Sequence, residues 1–208
     1  MRALIIILVV FISCNTSTSK QGQAALADTL SNKQQDQQND KPYNSKIIWS
    51  TDNVRIWGDT SNGKIKIDYT SYKFEPYISF EDFKVDDLFT GKKALINYQS
   101  NVTARRYKTR ITETYQEQGL NFGGHYCFVW WGCGSPCKAS AIVDLENGKV
   151  YDGPTSALGY NFKKNSTMII INPGDSTGFY DDCAYCHPEI WIWNEKQKAF
   201  KQRLPNKD

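Results

Sequence analysis

Alternation of apolar and polar residues constrains the fold of this chain more than any other feature. An alternating pattern, rich in isoleucine, valine, tryptophan and tyrosine overall, recurs in eight short segments, which read KIIWS, NVRIWGD, KIKIDYT, HYCFVWW, SAIVDL, TMIIIN, EIWIWN and AFKQRL. A period of two residues indicates β-strands. Two connections contain an Asn-Gly pair, at Asn62 and Gly63 and at Asn147 and Gly148, which favours tight turns between antiparallel strands.

Residues 101–119 depart from this alternation and have the pattern of a helix. Asn101 is suited to cap its start and Gly119 to end it. One helical stripe is formed by Ala104, Tyr107, Ile111 and Tyr115, and the other face carries Arg105, Arg106, Lys108 and Arg110. The basic face is either solvated or a contact for an anion. We therefore predict an α+β fold, mostly antiparallel β-sheet with one amphipathic helix packed on it.

The first residues resemble an export signal. Met1 and Arg2 precede the ten-residue apolar run ALIIILVVFI, which fits the core of a signal peptide but is too short to cross a bilayer of about 30 Å. The run ends in FIS followed by Cys14, which resembles the lipobox of bacterial lipoproteins. This resemblance implies a signal peptide over residues 1–13 and lipid on Cys14. The alternative is an ordinary cleaved signal in which Cys14 has no role.

The rest of the chain divides into a polar segment and a domain. Residues 14–45 are rich in Gln, Asn, Ser and Asp, so we expect a lipidated N-terminus followed by a disordered tether. Residues 46–208 are expected to form a single globular domain. Acyl chains each contribute about 0.8 kcal/mol per buried CH₂, so they would hold the protein on a bacterial membrane, which we predict to be the outer membrane, facing the periplasm. A net charge of +3 is too small to indicate a nucleic-acid partner.

Five cysteines remain besides Cys14, and an exported protein meets oxidising conditions. Since five is odd, one thiol is left unpaired, and we predict Cys127 because its segment HYCFVWW has the pattern of a buried strand. The candidates for disulfide bonds are Cys133, Cys137, Cys183 and Cys186. Four cysteines allow three connectivities, and the sequence leaves these open.

Cys183, Cys186 and His187 have the Cys-x-x-Cys-His spacing that attaches haem in c-type cytochromes. Here Pro188 and the strand-like segment EIWIW follow at once, which disfavours a haem pocket. The same residue types are also compatible with zinc held by the four cysteines and with a redox-active Cys-x-x-Cys. Structural disulfides are favoured, and we predict neither haem, zinc nor another cofactor.

His125 follows two glycines in the segment NFGGHYCFVWWGCGSPC. The segment is preceded by ARRYKTRITE and followed by an Ile-Val-Asp strand. It resembles a set of uncharacterised exported bacterial proteins that share Asn-Phe-Ala-Gly-His-Tyr and Trp-Gly-Cys-Gly-x-x-Cys. The matching motif positions are Gly124, His125, Tyr126, Trp131, Gly132, Cys133, Gly134 and Cys137. This chain departs from the pattern at Gly123 and Cys127, and the resemblance implies no activity.

Two classes of function remain after this reasoning. The first is a module that binds a ligand or partner in the cell envelope, with His125, Tyr126, Trp131 and Cys133 as candidate site residues. A further candidate is an aromatic platform for an envelope glycan or peptide, formed by Trp130, Tyr180, Tyr185, Trp191 and Trp193. The alternative is that these aromatic residues pack in the core. The second class is a periplasmic hydrolase or thiol oxidoreductase that uses His125 with Cys133, or the Cys183 and Cys186 pair. A bridged Cys133 would favour binding.

Overall fold

The computed structural model describes residues 45–205, in which eleven strands form three antiparallel sheets. The strands are β1 Lys46–Ser50, β2 Val54–Asp59, β3 Lys66–Lys73, β4 Tyr126–Gly134, β5 Cys137–Asp144, β6 Val150–Asp152, β7 Tyr160–Phe162, β8 Met168–Ile171, β9 Phe179–Asp181, β10 Glu189–Asn194 and β11 Ala199–Arg203. Their orders are β1-β2-β3-β9, β4-β5-β6 and β11-β10-β8-β7. The predicted antiparallel β-rich fold is confirmed.

Each of the eight alternating segments overlaps an observed strand. The strands that the alternation did not reveal are β6, β7 and β9, which have three residues each. Three residues are too few to establish a period of two, so these strands depend on their neighbours in the sheets rather than on a local pattern.

The predicted helix over residues 101–119 is two short helices in the structure, α1 Val102–Arg106 and α2 Lys108–Gln118. Asn101 caps α1 as predicted, because its side chain accepts a hydrogen bond from the Ala104 N–H at 2.7 Å. Gly119, with φ of 59°, follows α2. Tyr107 separates the helices with φ of −114° and ψ of 32°, and its ring contacts Trp131 at a centroid distance of 4.6 Å. The division into two helices corrects the prediction of one.

Three apolar clusters lie on the faces of two sheets. One joins Ala104, Ile111 and Tyr115 to Cys127 and Val129, and so lies between the helices and β4. The second lies between the β4-β5-β6 sheet and the β11-β10-β8-β7 sheet; its buried members are Phe122, Tyr126, Phe128, Ile142, Ile169 and Trp193. The third places Met168, Ile170 and Ile190 under aromatic residues of the segment 74–83. The two sheets are therefore packed on both faces, as continuous apolar runs such as MIII require.

The predictions for the N-terminus concern residues that the structure does not describe. The signal peptide over residues 1–13, Cys14 and nearly all of the tether lie before Ser45, where the described residues begin. Among the described residues, no helix combines the length and the apolar composition that crossing a bilayer requires.

Candidate functional site

The cysteines of the described segment form two local disulfide bonds. Cys133 is bonded to Cys137 across the end of the β4–β5 hairpin, and Cys183 is bonded to Cys186 in the loop before β10. Cys127 is free and buried, as predicted, and burial raises the pKa of its thiol to about 12. Sequence reasoning left the connectivity open, and the structure selects the local pairs.

These bonds bear on every cysteine chemistry that the sequence suggested. A sulfur in a disulfide bond can form neither a thioether to haem nor a thiolate ligand to zinc, and it is not a nucleophile. His187, which follows Cys186, is exposed, with Nε2 3.9 Å from Asp182 Oδ1. In the bridged state described here, Cys133 therefore lacks the thiolate that a hydrolase needs, whereas the Cys183–Cys186 disulfide is the oxidised form that a thiol oxidoreductase would also have.

His125 and Cys133 lie at opposite ends of β4. His125 immediately precedes the strand and Cys133 is its penultimate residue. Eight residues of extended chain span roughly 26 Å. The structure therefore does not bring His125 and Cys133 together, and the sequence could not decide this because a turn within the segment would have shortened the distance.

His125 instead lies beside a network of polar groups centred on Glu195. The Tyr126 hydroxyl donates to the Glu195 carboxylate, with both oxygens at 2.8 Å, and the Trp193 indole N–H donates to Glu195 Oε2 at 2.8 Å. Lys198 forms an ion pair with Glu195 and donates to the Tyr126 hydroxyl at 2.9 Å. His125 Nε2 is 3.7 Å from Glu195 Oε1. Tyr126, a candidate from the sequence, is thus a buried anchor of this network.

The network shifts the pKa values of two of its members. Burial, followed by the hydrogen bond to Glu195, raises the pKa of Tyr126 well above its usual value. Burial alone would raise the pKa of Glu195, but hydrogen bonds from Lys198, Tyr126 and Trp193 outweigh it and lower that pKa. At neutral pH the network therefore contains a neutral phenol and a charged carboxylate.

Lys198 has a backbone conformation that is unusual for its residue type. Its φ is 49°, in the left-handed region, which costs a non-glycine residue about 1–2 kcal/mol. Glycine commonly occupies such positions in hairpin turns. The Lys198 ammonium lies 5.8 Å from the centroid of the Tyr151 ring, in addition to its contacts with Tyr126 and Glu195. Lys198 is the last residue of the turn between β10 and β11, where a left-handed residue commonly closes the hairpin.

Lys198 also lines a groove of about 880 Å³. The groove is bordered by β6, by β11 and by the segment before α1. It has an aromatic wall of Tyr151, Trp191 and Phe200, two cations, Lys149 and Lys198, and hydrogen-bonding side chains from Asn97, Ser100, Asn101 and Asp152. Its volume lies in the range of small-molecule and oligomer sites, and aromatic faces beside a few polar groups are typical of them.

The other aromatic candidates differ in the exposed fraction of their side chains. Trp193 is 2% exposed and packs in the core, whereas Trp191 is half-buried and faces the groove. Trp130 and Tyr185 are exposed at 42% and 57%. Trp131, a motif residue, is buried, and its indole nitrogen has no hydrogen-bond partner within residues 45–205. Trp193 therefore packs in the core, whereas a ligand contact for Trp191 stays a prediction.

His125 also belongs to a cluster of potential metal ligands. One ligand atom each of His125, Asp144 and Glu146 lies within 4.8 Å of the other two. The cluster forms because Tyr126 pairs with Asp144 across β4 and β5, and the Leu145 N–H donates to the His125 carbonyl at 2.9 Å.

Comparison with known proteins gives no match: no family model, no curated protein and no solved structure is significantly similar to this chain. The assignment of a site therefore depends on the geometry above.

Sequence reasoning missed most of the groove. Tyr151, Phe200 and Lys198 were not among the candidate residues, and Lys149 and Asp152 carry no motif. One signal was present in NEKQKAF, which joins two apparent strands without a glycine. A hairpin connection that lacks glycine forces another residue into the left-handed region, and here that residue is Lys198.

Proposed function

We propose that this protein is a lipid-anchored module of the bacterial cell envelope that binds an acidic oligosaccharide in the groove between β6 and β11. The observation that carries the proposal is the combination of Tyr151, Trp191 and Phe200 with two lysine ammonium groups along one groove. Sugar rings present apolar C–H faces that pack on aromatic rings, while their hydroxyls bond to amide, hydroxyl and carboxylate groups.

Two lysine ammonium groups give the groove donors for an anionic ligand. Lys149 and Lys198 are positively charged, while Asp152 lines the groove and Glu195 pairs with Lys198. Lys198 is shared with Glu195, but its ammonium has three donors, of which Glu195 and Tyr126 take two. One donor is therefore left for a ligand carboxylate.

The helices support the opposite face of the same sheet. We infer that α1 and α2 act as one amphipathic layer, because Ala104, Ile111 and Tyr115 share a core cluster with β4. Asn101, the cap of α1, also donates to the Val150 carbonyl at 3.2 Å and to Asp152 Oδ1 at 3.3 Å. This layer would therefore hold the β6 wall of the groove in place.

Loss of the groove side chains is expected to weaken binding of acidic glycan. The probe is a set of glycan strands from peptidoglycan, which carry carboxylates, compared with neutral chito-oligosaccharides of equal length. In calorimetric titration, Trp191→Ala and Lys198→Gly should each raise the Kd for the acidic strands at least tenfold, or about 1.4 kcal/mol. Glycine suits the backbone of residue 198, so this variant removes the ammonium while relieving strain.

Trp130→Ala is the matched control, because Trp130 is an exposed tryptophan that does not line the groove. It should bind like the unmodified protein. Equal affinity of all three variants, or equal affinity for the acidic and neutral strands, would contradict the proposal.

The anchoring and the state of the thiols are tested together by the intact mass of the protein extracted from its own envelope. We expect a chain that begins at Cys14 and carries acyl chains. Iodoacetamide should add nothing to the native protein, one adduct at Cys127 in denaturant, and five adducts after reduction, because Cys127 is buried and four cysteines are bridged. A mass that retains Met1 would refute export. Four further reactive thiols before reduction would refute the disulfides.

A further inference from the structure

The structure points to a second site: we propose that His125, Asp144 and Glu146 bind a divalent transition-metal ion such as Zn²⁺. Their ligand atoms lie within 4.8 Å of one another, close enough to surround one cation. An imidazole nitrogen with two carboxylates is a donor set that suits zinc and its neighbours better than calcium or magnesium.

The backbone holds these three residues together without help from a metal. His125 directly precedes β4, and Asp144 ends β5 opposite Tyr126. The hydrogen bond from the Leu145 N–H to the His125 carbonyl extends this pairing by one residue, at 2.9 Å. Glu146 follows in the turn. The ligands therefore lie at the ends of two adjacent strands of one sheet, which is a rigid support for a metal site.

The carboxylate of Asp144 is oriented by hydrogen bonds, as is usual for carboxylates that bind metals. Its side chain accepts hydrogen bonds from the Glu146 N–H at 2.9 Å and from the Asn147 side-chain amide at 2.7 Å, one on each oxygen. Each carboxylate oxygen keeps a second lone pair. Hydrogen bonds from outside the coordination sphere fix the orientation of such ligands and strengthen binding.

The charge of the cluster is the second observation that favours a cation. Asp144 is 1% exposed, yet within residues 45–205 no lysine or arginine forms an ion pair with it. Glu146 brings a second carboxylate to the same place. A buried carboxylate normally has a cationic partner, and a divalent ion would neutralise both groups.

His125 is accessible from solvent, which gives the ion a way in. Its side chain is 22% exposed, and Glu146 lies on the surface. His125 Nε2 is also 3.7 Å from Glu195, which is held by Tyr126, Trp193 and Lys198. With three protein ligands, a zinc ion would keep one coordination position for water or a ligand group.

The test uses the chain's two histidines, His125 and His187. His187 is the matched control because it also lies near a carboxylate, that of Asp182, but belongs to no three-ligand cluster in the described part of the chain. The mature protein, prepared in detergent without a histidine tag, is titrated with Zn²⁺ by calorimetry. We expect one equivalent of zinc, with the Kd raised at least tenfold by His125→Gln and by Glu146→Gln and unchanged by His187→Gln.

Two further measurements keep the result interpretable. Zinc should shift the imidazole resonances of His125 and not those of His187, and it should raise the Tm of the unmodified protein but not of His125→Gln. Excess Ca²⁺ should not displace the zinc, because calcium prefers oxygen ligands alone. Zinc affinity that is unchanged in His125→Gln, an imidazole shift at His187 alone, or no binding to a folded protein would overturn the proposal.

Discussion

Phe128→Ala is expected to lower the free energy of unfolding by about 3–5 kcal/mol. Phe128 is 1% exposed and lies at the centre of the cluster between the β4-β5-β6 and β11-β10-β8-β7 sheets. Its ring contacts Phe162 and Tyr160 at centroid distances of 4.6 and 5.0 Å, and Phe122 at 5.9 Å. Truncation removes these contacts and leaves a cavity that aromatic rings held by strands cannot easily fill.

The control is Trp130→Ala, two residues further along the same strand. Trp130 is 42% exposed, and its contact is with Lys138, whose ammonium is 5.5 Å from the ring centroid. Its loss should cost no more than about 1 kcal/mol. Urea unfolding followed by circular dichroism measures both variants without relying on tryptophan fluorescence. Similar midpoints for the two variants would show that the sheets do not pack through Phe128.

Gly148→Ala is expected to cost about 2–5 kcal/mol, whereas Gly63→Ala should cost about 1–2 kcal/mol. Both glycines follow an asparagine, and their φ angles are 73° and 70°. Alanine has the same backbone cost at either position. A Cβ on Gly148, however, would lie 1.9 Å from the Leu95 carbonyl oxygen, whereas one on Gly63 would meet nothing within 4 Å.

The Gly148 variant must therefore displace the segment around Leu95. That segment is held by the Asn97 N–H, which donates to the Gly148 carbonyl at 2.8 Å, and by the Ala94 N–H, which donates to the Leu145 carbonyl at 2.9 Å. Because Asn97 borders the groove, Gly148→Ala should also weaken glycan binding, while Gly63→Ala should not. Urea denaturation of the pair measures the difference, and equal losses of stability would contradict it.

The two Asn-Gly turns differ in a feature that no local sequence pattern contains. Asn62 with Gly63 and Asn147 with Gly148 are the same dipeptide, and both predict a turn between antiparallel strands. That expectation is confirmed, since β2 pairs with β3 and β5 pairs with β6 in antiparallel register. The crowding of Gly148 by Leu95 comes from a segment much earlier in the chain, which no local pattern can reveal.

The helical segment shows the same limit. The cap at Asn101 and the stop at Gly119 depend on neighbouring residues and were predicted correctly. The interruption at Tyr107 was not predicted, because it occurs where the tyrosine ring packs on Trp131 of β4. Helix periodicity describes which residues share a face, and it does not show where contact with a sheet changes the backbone.

Local patterns in the chain were enough to predict the longer strands, the two turns, the helix cap and the burial of Cys127. These follow from residue preferences and periods that act within a few positions of the chain. The packed fold was needed to establish the disulfide pairing, the separation of His125 from Cys133, the groove and the cluster of His125 with Asp144 and Glu146. Lys198 and Tyr126 are 72 residues apart, and such contacts arise because sheet packing brings distant strands together to bury their apolar faces.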